Sequence, residues 1–415
     1  MKKEAKKKNK VNSKKKKGEL GRELDAIKRG LKKYPRVDFM LCALTVALII
    51  FGVIAISSAS YYWSMDQLGQ TYGYLIKSTV WAIGGCIIMF VMSYVDYHIF
   101  RKWYRMIMMI SIVLLVLIFT PLGHEAGGAV RWLNLGPITL MPGEIAKLAA
   151  IIFTAGILAR RNVNDFKNCI VPLVILCGVY GILIMKQPNM STAATVIMVI
   201  GAMMFVAGLD LKYIGGLLAA GLVVAVPLLT EGYRWKRITS FLDPFEDPLG
   251  DSFQVVQSLM ALGSGGLFGK GLGESVQKNL YLPEPMTDFI LAIIGEELGF
   301  IGIIALIAAF SVLVWRGIKV AMSAPDKFGF YLAAGVSMMI GIQFAMNIAI
   351  VTSSMPPTGI ALPFISYGGN AMMIFCAGMG IVLNISRQSK LQARREEIQE
   401  AVSERKIVGK GRTLK

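Results

Sequence analysis

Residues 279–300 read NLYLPEPMTDFILAIIGEELGF, a stretch in which a polar, proline-bearing lead runs straight into an apolar helix. Glu284, Asp288, Glu296 and Glu297 fall within a few turns of one another along it. Acidic side chains at the edge of a membrane span, or inside one, are costly unless they face a wet cavity or a partner, so they are functional candidates by default. Asp288 is the first candidate for chemistry. A step of about 100° per residue places Gly295 and Gly299 close beneath it and Glu297 on the opposite side, a small-xxx-small pattern that lets another helix pack tightly there. Glu296 and Glu297 read as structural acids, hydrogen-bonded within a bundle or balancing a buried base.

Composition places that helix in a membrane. Hydrophobic residues make up 55% of 415 positions, the mean hydropathy is +0.58, and the apolar residues lie in long runs. The net charge of +18 would fit nucleic-acid binding if it were spread over the chain. It sits in the tails instead. Residues 1–37 hold 16 Lys/Arg against 4 Asp/Glu, and residues 386–415 hold 9 against 4, so the core between them is nearly neutral. Lysine runs such as Lys14–Lys17 before a first span are cytoplasmic topology signals that also meet anionic lipid, and no nucleic-acid partner is expected. The basic stretch is too long for a signal-peptide n-region, so no cleavable signal is expected. The five cysteines, Cys42, Cys86, Cys169, Cys177 and Cys376, lie in or beside apolar runs and outline neither a disulfide framework nor a metal site. His98 and His124 are isolated, which leaves little support for Ser-His or Cys-His catalysis.

Windows of about twenty apolar residues predict ten spans, near 39–60, 75–94, 105–121, 142–159, 168–185, 191–208, 212–230, 287–315, 327–352 and 363–385. The fold class that follows is an all-α integral membrane protein, a polytopic bundle of about ten transmembrane helices. An even number of spans puts both termini on one side. With the basic tails inside, each inner loop is basic: Arg101, Lys102 and Arg105, then Arg160, Arg161 and Lys167, then Lys212, then Arg316, Lys319 and Lys327. The outer loops at 61–74 and 353–362 hold no Lys or Arg, as the positive-inside bias requires. The organisation expected is a basic cytoplasmic tail over 1–37, a membrane domain over 38–385 with a large extracytoplasmic loop at 231–286 between the seventh and eighth spans, and a cytoplasmic tail over 386–415.

A loop that long within a compact protein is usually functional. It opens with Arg234, Trp235, Lys236 and Arg237 and ends in QSLMALGSGGLFGKGLGESVQK, in which six glycines alternate with apolar residues. Spacing alone leaves two readings of those glycines, a phosphate cradle or turns and close packing, with the second the commoner use. The loop's last part is expected to fold against the outer face as short interfacial helices. Three other polar features fall at outer helix ends. MPGEIAKLAA starts the fourth span with Pro142 and sets Glu144 and Lys147 three apart on one face, just after Arg131 in GGAVRWLNLG. They form either an internal salt bridge or a cation set to meet an anionic substrate. KQPNMSTA reads as a capped start to the sixth span, with Ser191 or Thr192 as the cap. In SSMPPTGIALPFISYGGNAMM, Pro356, Pro357 and Pro363 break the helix, and non-helical backbone at membrane depth is tolerated only where it is buried in protein or lines a cavity. The outer halves of several helices are thus expected to converge on a cavity that opens outward.

Four blocks together resemble one family. RWLNLGPITLMPGEIAKL, QPNMSTAATVIMVIGAMMFVAG, the run from FLDPFEDPLGDSFQ to MTDFILAIIGEELGFIG, and MPPTGIALPFISYGGNAMM make the chain similar to the SEDS proteins (shape, elongation, division and sporulation), the polytopic peptidoglycan glycosyltransferases that include FtsW, RodA and SpoVE. The likeness covers residues 39–385 and its wording is nearer the FtsW and SpoVE branch. The resemblance implies that Asp288 is the catalytic carboxylate and that Glu144, Lys147 and Arg131 match family positions. Departures are Met286 where the family often has His, Asn189 where it has an acid, Met141-Pro142-Gly143-Glu144 for QPSE, and Asn370 for the usual Ser. Asn189 argues against a mechanism that needs a carboxylate at that position.

The activity implied is polymerisation of lipid II at the outer face of the bacterial cytoplasmic membrane, with inversion and loss of polyprenyl pyrophosphate, for division or related wall synthesis. Asp288 would be the general base. Arg131, Lys147, Arg234, Lys236, Arg237, Lys270 and Lys278, with a divalent cation (Mg2+ or Mn2+), would meet the leaving pyrophosphate, and Glu144, Glu284, Ser366 and Tyr367 complete the substrate-binding set. The sequence supplies no dedicated metal cage. The resemblance also implies a class B penicillin-binding protein as transpeptidase partner and other divisome or elongasome membrane proteins. Two other readings are a lipid II flippase without bond chemistry, which needs polar stations on both sides of the bilayer, and a scaffold for division partners in which the acid is structural.

Overall fold

A computed structural model describes residues 37–126, 129–134, 136, 139–210, 212–213, 215–216, 241–250 and 252–411. Helix α1 (Phe39–Ala59) is followed by the short α2 (Tyr61–Leu68), then α3 (Gly73–Tyr94) and α4 (His98–Leu117). A small antiparallel sheet of β1 (Gly123–Ala126), β2 (Ala129–Asn134) and β3 (Thr139–Leu140) leads into α5 (Pro142–Leu158). After a π-turn at Phe166–Ile170 come α6 (Val171–Met185) and α7 (Met190–Val206). The chain continues with α8 (Phe253–Gly265), α9 (Ile290–Met322), α10 (Lys327–Val351) and α11 (Gly369–Gly411). Six of the described helices are long and apolar enough to cross a membrane by length and composition, and α7 is a shorter apolar helix.

Among the described residues, α1, α3, α4, α5, α6, α7, α9, α10 and α11 fall on nine of the ten expected spans. The seventh, 212–230, lies almost wholly outside the described residues, as does the basic tail. The sheet at 123–140 is the departure from an all-α reading: too short and too glycine-rich for a span, its strands pair antiparallel, with Leu133 opposite Leu140. Helix α11 runs on from the last span far beyond residue 385, because nothing in the polar stretch SRQSKLQARREEIQE breaks a helix.

Helices α5 and α10 form the middle of the bundle. All of α5 except Ile145 is buried, and a helix that is apolar all round belongs inside. Helix α10 packs against α5, α7, α8, α9 and α11. At one end of the bundle, Asp38 caps α1 by accepting from Leu41 N (3.0 Å), pairs with Arg316 (2.8 Å), and donates its own N–H to Ser386 Oγ (2.9 Å). Asp326 caps α10 and takes Arg101 at 3.0 Å, and Arg160 donates to the Arg101 carbonyl, so the basic loops gather there. The sheet, α8 and the stretches 266–289 and 352–368 gather at the other end.

Helix α9 is broken where periodicity predicts continuity. Gly299 takes φ 67° and ψ −168° inside it. The carbonyls of Glu296 and Glu297, freed by the break, accept from Lys270 N (2.9 Å) and Gly271 N (3.0 Å). The N–H groups of Phe300 and Ile301 donate to the carbonyls of Gly266 (2.9 Å) and Leu267 (3.2 Å). Four backbone bonds thus stitch the glycine-rich loop into the break, which satisfies groups that hydrocarbon could not. The approach demands glycine on both sides: a Cβ at Gly269 would stand 2.1 Å from the Glu297 carbonyl, and one at Gly265 2.1 Å from the Gly295 carbonyl. The expected tight packing at Gly295 is therefore real, with α8 as the partner, while Gly299 breaks the helix instead of lining it. Helix α8 is further fixed by Ser258 Oγ, which donates to the Val351 carbonyl at 2.9 Å.

Candidate active site

Asp288 lies in the turns that precede α9, two residues before the helix starts, so no helical step relates it to Gly295. Its segment is held by three successive carbonyls. Met286 O accepts from Tyr367 N (2.8 Å), Thr287 O from Ser366 Oγ (2.6 Å), and Asp288 O from Asn347 Nδ2 (2.8 Å). Ser366 Oγ in turn accepts from Leu362 N at 2.7 Å, so one hydroxyl joins the two non-helical stretches. The Asp288 side chain is half-buried, and its carboxylate lies against Gly359, where an added Cβ would stand 3.0 Å from Oδ2. Gly359 has φ 72°, so both the backbone conformation and the space favour glycine at that point.

The other blocks close around this segment. Ser191 Oγ donates to the Gly359 carbonyl (3.3 Å) and to Asn189 Oδ1 (3.1 Å). Asn189, not Ser191 or Thr192, is the N-cap of α7: its side chain accepts from Thr192 N at 3.2 Å, the bond a capping amide makes as well as an acid does. Arg131 donates from β2 to the Pro188 carbonyl, and Asn370 donates to the Thr139 carbonyl at 3.2 Å. Tyr367 stacks edge-on against Tyr74 with ring centroids 5.1 Å apart. Glu284 is exposed, with φ 44° and its carbonyl accepting from Thr287.

Glu144 and Lys147 are ion-paired at 2.8 Å, and Lys147, 2% exposed, also donates to Gln343 (3.2 Å) and lies 5.2 Å from the centre of the Phe375 ring. Glu296 is fully buried and accepts from Lys270 Nζ (2.7 Å), Ser264, Ser275 and the N–H groups of Val276 and Gln277. Glu297 accepts from Lys278 Nζ (3.1 Å) and Ser58 (2.5 Å). The two acids are thus the buried, hydrogen-bonded counter-charges that their position in the helix predicts, and Lys270 and Lys278 are the bases they balance. Arg234, Lys236 and Arg237 lie outside the described residues.

Sequence reasoning passes over Asn347 and Gln343. Both sit one turn apart on one face of α10, and the readable signal is two amides in an otherwise apolar span. Uncharged side chains in GIQFAMNIAIV do not stand out beside the acids of α9.

The FtsW, RodA and SpoVE family model, described as cell cycle protein, matches residues 39–391. The chain belongs to this family. It is 42% identical over 357 residues to stage V sporulation protein E of Bacillus subtilis (strain 168), covering 85% of this chain and 98% of that protein. It is 39% identical over 368 residues to the probable peptidoglycan glycosyltransferase FtsW of Geobacter sp. (strain M18), covering 87% and 99%. Among solved structures, a chain of a peptidoglycan synthase complex that coordinates polymerization and crosslinking matches with a TM-score of 0.71 at 26% identity, over 85% of this chain and 98% of that one. The rod shape determining protein RodA of Thermus thermophilus matches with a TM-score of 0.64 at 25% identity, over 85% and 97%. Membership makes this FtsW/RodA/SpoVE protein a polytopic membrane protein, and the four blocks that carry its likeness are those brought together around Asp288.

Proposed function

We propose that the chain is a peptidoglycan glycosyltransferase that polymerises lipid II into glycan strands at the outer face of the cytoplasmic membrane, with both termini and the basic end of the bundle inside. The observation that carries this reading is the convergence of sequence-distant segments, 131, 189–191, 286–289 and 359–367, on one half-buried carboxylate at the end of the bundle opposite the basic loops.

In the proposed step a sugar 4-hydroxyl attacks the anomeric carbon of a second lipid II. The new glycosidic C–O bond forms with inversion as the bond to polyprenyl pyrophosphate breaks. Asp288 takes the hydroxyl proton as general base, a contribution typically of about 10²–10⁴-fold. Arg131 and Lys147, with Arg234, Lys236 and Arg237, meet the charge on the leaving pyrophosphate. Lys270 and Lys278 act through the loop they tie to Glu296 and Glu297. Glu284, Ser366 and Tyr367 line the approach to the acid. Among the described residues no three Asp, Glu, His or Cys side chains gather as an ion cage; a divalent cation (Mg2+ or Mn2+) carried by the substrate's own pyrophosphate would add positive charge beside these side chains. A class B penicillin-binding transpeptidase is the proposed partner, consistent with the solved synthase complex it resembles.

Detergent solution separates polymerisation from flipping, because it offers no bilayer to cross. Purified protein with its transpeptidase partner is expected to convert lipid II into glycan strands there. A protein that moves lipid II across liposomes yet makes no strands overturns the reading.

A further inference from the structure

We infer that Asn347 is a positioning residue for polymerisation, whose amide sets the place of the Asp288 carboxylate by fastening the backbone on both sides of it. The inference rests on the reading of Asp288 as the general base. Asn347 is fully buried in α10, and its Nδ2 donates to the Asp288 carbonyl at 2.8 Å and to the Ile360 carbonyl at 2.7 Å. Both amide hydrogens are therefore spent on the two non-helical segments that meet at the carboxylate. Burying an amide in an apolar span is unfavourable unless its hydrogen bonds offset the cost, and its Oδ1 has no partner among the described atoms. The side chain is thus kept for what its two N–H groups hold.

What they hold is the spacing between Asp288 and residue 359. Ile360 follows Gly359, whose Cα faces Asp288 Oδ2 so closely that a Cβ would stand 3.0 Å from it. Fixing the carbonyls of 288 and 360 to one nitrogen fixes that approach. The bonds to the carbonyls of Met286 and Thr287 come from the chain beyond Ile360, whereas Asn347 ties the segment to a rigid helix in the centre of the bundle. Gln343, one turn earlier on the same helix, holds Lys147 at 3.2 Å, so α10 registers the proposed base and a proposed cation against each other. A displacement of about 1 Å in a reacting group can cost about 10²-fold in rate.

The test compares Asn347→Leu, which keeps the branched shape without donors, and Asn347→Ser, which keeps one donor, with wild type and Asp288→Asn. Polymerisation of lipid II is measured in detergent with the partner present, per folded enzyme. The expected result is a kcat lower by about 10–100-fold for Asn347→Leu and by less for Asn347→Ser, with KM for lipid II within about twofold of wild type. A kcat within about threefold of wild type in both variants, whatever their melting temperature, overturns the inference. So does a raised KM at unchanged kcat, or failure of both variants to fold, since each makes Asn347 a binding or structural residue. Asp288→Asn separates the two levels. If it is inactive while both Asn347 variants are normal, only the inference fails; if it polymerises normally, the reading beneath it fails.

Discussion

Glu144 and Lys147 pair at 2.8 Å within α5 with almost no exposure, and a buried ion pair is an expensive way to stabilise one turn of a helix. Well-packed neutral residues of similar size often serve stability as well or better, while loss of one partner alone strands a buried charge at a cost of about 3–5 kcal/mol. Lys147→Met alone is therefore expected to lower the melting temperature, and the Glu144→Gln/Lys147→Met double variant to restore it. Because Lys147 is proposed to meet the leaving pyrophosphate, the double variant is still expected to lose at least about tenfold in polymerisation. Near-normal turnover by the double variant would return both residues to structure. At this scale Glu296 and Glu297 were legible as structural acids from their place in an apolar helix, and the Glu144–Lys147 pair was one of two readings its spacing left open. Asp288 stood out by its charge at the edge of a span and not by helical spacing. The pairings of Lys270 with Glu296 and Lys278 with Glu297 were not legible, because they span 26 and 19 residues and depend on a loop path that no local pattern encodes.

At the scale of elements, the break in α9 is what gives the glycine-rich loop its meaning. A single glycine inside a helix costs only about 1 kcal/mol, so GEELGFIGI gives no sign that Gly299 leaves helical geometry. The phosphate cradle and close-packing readings of the loop were both open on spacing; Gly265 and Gly269 are placed against the carbonyls of Gly295 and Glu297, which is close packing. Gly269→Ala puts a side chain on a φ of 79° and into the Glu297 carbonyl, and is expected to destabilise by about 2–4 kcal/mol. Gly263→Ala, on α8 with open space around its Cα, is the matched control and is expected to be neutral or stabilising. Equal melting temperatures for the two variants in detergent would show that the loop is not stitched into α9.

For the whole molecule, the membrane class and nine helix positions could be read from hydropathy, since a span is dictated by length and apolarity alone. The order in which helices pack could not: α5 and α10 take the centre through contacts that no single-span window reports. The proposed sidedness rests on the basic loops gathering at the end opposite Asp288. On a background without the five native cysteines, a cysteine at Leu249, 85% exposed, is expected to react with an impermeant thiol reagent on intact cells, and one at Arg161 only after permeabilisation. The reverse pattern would invert the topology and place Asp288 on the wrong face for lipid-linked wall synthesis. The central claim is tested most directly by Asp288→Asn in the purified protein with its partner. The exchange keeps size and polarity and removes the base, so the variant is expected to fold, bind its partner and make no glycan from lipid II; strands formed at a near-normal rate would contradict the account.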